Sequence, residues 1–130
     1  MGREPFTSAL VAQVEAECGR VCWLCERPVP AGEKVSLDHV VPVIYGGTNA
    51  LENLRPAHTF CNRQRGEWDV ASYYGWAIAR GDDNLVPTRL LEQLRPGAAA
   101  LADQARTHYG RTTRGTTLAP LGGTWPYAPI

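Results

Sequence analysis

The chain has 130 residues and a mass of 14.2 kDa, which suits one compact domain with tails and excludes a second full-sized one. Its 13 Lys plus Arg balance 13 Asp plus Glu, so no global field draws it to a polyanion, and any grip on nucleic acid must come from local clusters. No apolar run reaches the ~18 residues of a membrane span, and Met1-Gly2-Arg3-Glu4-Pro5 lacks the apolar stretch of a secretory signal, so a cytoplasmic protein with no membrane partner is expected.

Thr7 reads as the cap of a first helix over Ser8 to Cys18, stopped by Gly19. Leu10, Val11, Val14 and Cys18 recur on one face of it, which predicts a core thiol at Cys18. Val21 to Arg27 holds Cys22, Trp23, Leu24 and Cys25 in too few positions for a helix, so a turn is expected there. Val35 to Val41 is rich in branched residues and reads as a short strand ended by Pro42. An irregular loop with the turn cluster Gly46-Gly47-Thr48-Asn49 follows, and Leu54 to Ala57 returns as a second, antiparallel strand. About two helical turns then run from Thr59 to the breaker Gly66, and further helices are predicted over Trp68 to Arg80, Thr88 to Leu94 and Ala98 to His108.

This pattern divides the chain into an N-terminal helix (1–20), a strand-loop-strand-helix core (21–67), a helical C-terminal extension (68–110) and a Thr, Gly and Pro rich tail (111–130) expected to be extended or disordered. Trp23, Trp68, Tyr73, Tyr74 and Trp76 read as packing residues.

Four cysteines in a reducing compartment point away from a disulfide framework and toward metal or redox chemistry. Cys22-x-x-Cys25 and His58-x-x-Cys61 share one internal spacing, and each can present two ligands from a tight turn or a helix start. Together they suit one tetrahedral zinc site with no open position, a structural ion that closes the segment between them. A redox pair or buried free thiols are the alternatives.

Between the two pairs lie Leu37-Asp38-His39-Val40-Val41-Pro42, Gly46-Gly47-Thr48-Asn49 and Asn53-Leu54-Arg55, and after them Cys61-Asn62-Arg63. In order and spacing this set resembles the HNH endonuclease family, in its zinc-containing branch, over about a third of the chain. The resemblance implies an α+β fold: a ββα-metal (His-Me finger) core with a structural zinc, flanked by N- and C-terminal helices. It implies a metal-dependent endonuclease that nicks or cuts DNA at phosphodiester bonds, leaving 5′-phosphate and 3′-hydroxyl ends. Asp38 and Asn62 would hold a catalytic divalent ion, Mg or Mn. His39 would be the general base, and Asn53 would fix the backbone and ring of His39 across the loop. Small stand-alone proteins of this kind occur in phages and in restriction or mobile elements, so packaging or restriction components are implied partners beside DNA.

The chemistry agrees with the residue types. Phosphodiester hydrolysis needs a base for water and positive charge for the phosphate and the leaving oxygen. An imidazole titrating near neutrality serves the first need, and oxygen ligands for a hard cation serve the second. Adjacent strand residues face opposite ways, so Asp38 and His39 can serve one centre only where the strand bends or ends. Arg55, Arg63 and Arg65 are expected along the phosphate path. Twelve of the 13 cations are Arg, with Lys34 the sole Lys, a bias that suits bidentate phosphate contacts. The competing reading is a catalytically silent zinc module that binds nucleic acid or a protein partner.

Overall fold

The computed structural model describes residues 6–109. Along these residues run α1 (Ser8–Cys18), β1 (Ser36–His39), β2 (Leu54–Ala57), α2 (Thr59–Arg65), α3 (Val70–Ala79), α4 (Thr88–Leu94) and α5 (Ala98–Tyr109), with short 3-10 turns between several of them. The fold is α+β, with β1, β2 and α2 forming a ββα core between flanking helices. The expected tail over 111–130 lies outside the described residues. Among the described residues, no helix is long and apolar enough to cross a membrane.

Local chemistry sets the element ends. Thr7 caps α1 by accepting from the Leu10 amide at 3.1 Å, and Gly19 takes over with φ 76, in the left-handed region. α3 starts at Val70 rather than Trp68 because Asp69 is its cap, its Oδ2 accepting from the Ser72 amide at 3.1 Å. Strand β1 is shorter than the branched run Val35 to Val41. The Val40 amide bonds Asn53 O at 2.9 Å, and the Val41 amide is taken by the Asn53 side chain at 2.8 Å, so the ladder gives way to a side-chain clasp.

In the antiparallel hairpin Ser36 pairs with Ala57, Leu37 with Pro56, Asp38 with Arg55 and His39 with Leu54. Pairs alternate between the two faces of the sheet. Helix α2 lies on the face carrying Ser36 and Asp38. There Asn62 Nδ2 donates to Ser36 Oγ at 2.8 Å, and Arg65 reaches Asp38 one turn later.

The C-terminal extension shares one hydrophobic core with this module. Trp68 stacks on Tyr109 at 5.5 Å and meets Trp76 edge-on at 5.5 Å. The Tyr109 hydroxyl donates to Asp69 Oδ1 at 2.9 Å and accepts from the Asp69 amide at 2.6 Å, joining the end of α5 to the cap of α3. Two links then tie the extension to the Cys22–Cys25 turn. The Tyr74 hydroxyl donates to Leu24 O, and Arg27 Nη1 donates to Asn84 O at 2.6 Å. Trp68, Tyr73, Tyr74 and Trp76 are buried and Trp23 half-buried, as packing residues should be.

Cys18 departs from expectation. It is exposed, and Val14 is the buried residue of α1. The helix meets the core through its middle, and its last turn runs out over a shallow depression lined by Leu51, Glu52, Leu54 and Arg55.

Candidate metal centre and hairpin site

Cys22 and Cys25 sit on a tight turn. The Glu26 amide returns to Cys22 O at 2.8 Å, the Cys22 amide bonds Arg27 O at 3.0 Å, and Glu26 itself adopts φ 63, a left-handed value that costs a non-glycine residue about 1 kcal/mol. Two bonds from Arg89 to the Glu26 carboxylate, at 2.8 and 2.6 Å, hold that residue in place and depress its pKa. The Trp23 amide bonds Pro56 O at 2.9 Å, which docks the turn on the free edge of β2. β2 then leads directly into His58, the cap residue of α2, and to Cys61 in its first turn.

The result is a convergence of four ligand atoms, from Cys22, Cys25, His58 and Cys61, all within 4.8 Å of one another. His58 Nδ1 lies 3.4 Å from Cys25 Sγ and 3.7 Å from Cys61 Sγ. Donors around one tetrahedral zinc would stand roughly 3.5–3.8 Å apart, so the residues present fit such an ion. The His58 ring is already oriented for it: Nε2 donates to Pro28 O at 2.9 Å, leaving Nδ1 as the ligating nitrogen. Among the sulfurs, hydrogen bonds from Cys22 and then Cys61 hold the Cys25 thiol far below its ordinary pKa, whereas the same contacts push Cys61 up. These residues form a potential metal site of structural type.

On the α2 face of β1, Asp38 is 4 % exposed and Arg65 1 %. Asp38 Oδ2 accepts from Arg65 Nη1 at 2.9 Å and from Trp23 Nε1 at 2.9 Å. The same guanidinium donates to His39 O at 3.0 Å, Val40 O at 3.0 Å and Trp68 O at 2.6 Å, stitching the end of β1 to the α2–α3 junction. Asn62 stands one turn before Arg65, its Nδ2 also reaching Leu37 O at 3.3 Å. Among the described residues, Asp38 Oδ1 and Asn62 Oδ1 accept no hydrogen bond.

His39 faces the other way. Its ring is 5 % exposed, lies 5.7 Å from the ring of Phe6, and places Nε2 2.7 Å from Asn49 Oδ1. The loop carrying Asn49 is held by Asn53, whose side chain takes the Val41 amide at 2.8 Å and donates to Val41 O at 3.1 Å and Thr48 O at 2.8 Å. Gly47 is required at this crossing. A Cβ there would stand 1.7 Å from Val41 O and 2.9 Å from Asn53 Nδ2.

The structure therefore brings Cys22, Cys25, His58 and Cys61 together, sets Asp38 and Asn62 on one face of β1, and turns His39 to the opposite face. Two expectations need correction. Arg65 cannot line a phosphate path, because its guanidinium points inward onto a carboxylate and three carbonyls. Asn53 bonds the backbone of Val41 and Thr48 rather than the backbone or ring of His39; it is Asn49 that meets the ring. Arg55 is half-buried over the carbonyls of Glu52 and Leu54, and Arg63 is exposed on α2. Sequence reasoning missed Trp23 as a donor to Asp38 and Phe6 as the cover of His39, and no local motif marks either.

No curated protein and no solved structure matches the chain. A family model, HNH endonuclease, matches residues 22–67, the span that runs from the first ligand of the sulfur cluster to just past α2. Residues 22–67 thus match the HNH endonuclease family, and the Cys22, Cys25, His58 and Cys61 cluster is consistent with the zinc-binding branch of that family.

Proposed function

We propose that this protein is a metal-dependent DNA endonuclease of HNH type, hydrolysing phosphodiester bonds to 5′-phosphate and 3′-hydroxyl ends by nicking or double-strand cleavage. Zinc at Cys22, Cys25, His58 and Cys61 holds the turn and α2 together as scaffold. Asp38 and Asn62 are the residues that would hold Mg or Mn: each has a side-chain oxygen that accepts no hydrogen bond among the described residues, and both contact the same face of β1, which supports the assignment. A divalent ion there supplies positive charge to the scissile phosphate and to the leaving oxygen.

The residues of the chain do the rest. Arg65 and Trp23 hold Oδ2 of Asp38, which aims Oδ1 away from the pair. His39 removes the proton from the attacking water. It ends β1 on the face opposite Asp38 and Asn62, where Asn53 draws the chain out of the sheet, so this reading requires the strand end to twist for the base and the oxygen donors to serve one phosphate. Phe6 lies against the ring, so access of a phosphate to His39 requires the Phe6 side chain to shift. Exposed Arg63 on α2 is the cation placed to meet the backbone of the nucleic acid.

The observation that carries this reading is the match of residues 22–67 to a nuclease family, a span whose hairpin carries Asp38 and His39 and whose helix α2 carries Asn62. Its test is the relaxation of supercoiled plasmid by the zinc-loaded protein with added Mg²⁺ or Mn²⁺. Cleavage that is lost in His39→Ala at unchanged zinc content supports it; equal cleavage by that variant rejects His39 as the base.

A second reading has its own observation. Arg65 and Trp23 both bond Oδ2 of Asp38 in the interior, a sufficient structural role for a carboxylate in a silent zinc-binding module. That reading requires no ion-stimulated cleavage under any of these conditions.

A further inference from the structure

We infer that Asn49 is a positioning residue for His39: its amide oxygen takes the Nε2 proton, so Nδ1 is the ring nitrogen that accepts a proton from water. The inference rests on the nuclease reading for its chemistry and on the loop geometry for its structure. An imidazole has two inequivalent nitrogens, and the hydrogen bond made by one decides which of them is free to act as a base.

Here Nε2 stands 2.7 Å from Asn49 Oδ1, an acceptor, and a neutral ring can satisfy that acceptor only with its proton on Nε2. Asn49 is exposed and would swing freely were its backbone not fixed from both sides. Asn53 Nδ2 clamps the carbonyl of Thr48, the preceding residue, at 2.8 Å, and Thr48 Oγ1 accepts from the following Ala50 amide at 3.2 Å. Gly47 permits the close crossing against Val41 O. Gly47, Asn53 and Asn49 thus form one device: the first two set the loop, and the third sets the ring.

With the ring so held, the step balances. The O–H bond of water breaks as its proton passes to Nδ1, the water oxygen forms the new P–O bond, and the bond to the leaving oxygen breaks with its electron pair, which solvent then protonates.

Two readouts on the full-length, zinc-loaded protein test the assignment. In long-range ¹H–¹⁵N spectra of the neutral ring, His39 is expected as the Nε2–H tautomer in the parent. It should become a mixture of tautomers in Asn49→Ala and return to Nε2–H in Asn49→Asp, which keeps an acceptor oxygen. Plasmid nicking should fall about 10- to 100-fold in Asn49→Ala, in kcat rather than KM, and recover in Asn49→Asp. A parent ring protonated on Nδ1, or a tautomer unchanged in Asn49→Ala, overturns the assignment. The spectra need no activity: an Nε2–H ring in a protein that never cleaves sinks the nuclease reading and leaves the Asn49–His39 assignment standing.

Discussion

Arg65 donates to Asp38 across 2.9 Å, with the two side chains 0 % and 6 % exposed. A buried pair of this kind gains little over an apolar replacement of both partners, yet removal of one partner leaves a charge with no water and no counter-ion. Arg65→Met should therefore cost about 3–5 kcal/mol of stability. Urea denaturation of the zinc-loaded protein measures it. Arg65→Lys should also lose stability, because one ammonium cannot reproduce a planar fork that serves four acceptors. A midpoint shift near zero for Arg65→Met would remove the clasp from the account.

The four-ligand cluster makes folding and metal content one property. In zinc-finger peptides such a site supplies about 10–16 kcal/mol of apparent binding free energy, comparable to the whole stability of a typical small domain. Cys25→Ala, or chelation of the parent, should abolish the cooperative unfolding transition followed by circular dichroism. Metal analysis should find one zinc per chain in the parent. A well-folded, metal-free Cys25→Ala protein would contradict the structural role.

Two glycines of the helical extension should respond with opposite signs. A Cβ on Gly75 would stand 2.2 Å from Leu101 Cβ, at the crossing of α3 and α5, so Gly75→Ala should destabilise by about 1–3 kcal/mol. Gly97 meets nothing within 4 Å and precedes α5, so Gly97→Ala should stabilise by about 0.4–1 kcal/mol through the unfolded chain. Thermal unfolding of both variants reads the difference, and equal shifts would mean that the two helices are not packed as described.

Much of this was legible in the sequence, and the reasons can be given residue by residue. Thr7, Gly19 and Gly66 announce helix ends because caps act within a turn of the chain, and α1 starts and stops, and α2 stops, where those signals fall. The four metal ligands were legible because a metal fixes their spacing. Contacts that join distant segments were not. Nothing local to Arg65 reveals that Asp38 waits for it 27 positions away, or that Trp23 shares that carboxylate. Cys18 misled because helical periodicity marks a face but not how far along the helix the core reaches.

Binding to DNA should be weak and salt-dependent, since 13 cations balance 13 acids and, among the described residues, most arginines bond to groups of the chain itself. Arg63→Ala should reduce the slope of log affinity against log salt by about 1, as loss of one phosphate contact requires. Fluorescence anisotropy with a duplex at several salt concentrations measures the slope. An unchanged slope would remove Arg63 from the interface.

The central claim is that two unlike cation sites serve one chain, a sulfur–imidazole scaffold and an oxygen pair on the strand whose opposite face carries the base. It is tested most directly by titrating Mn²⁺ into the zinc-loaded protein while plasmid nicking and bound zinc are followed in the same samples. The account predicts that nicking rises from nothing to saturation while zinc stays at one per chain, and that Asn62→Ala moves the saturation point to higher Mn²⁺. Nicking that needs no added ion, or that grows only as zinc is displaced, would contradict it.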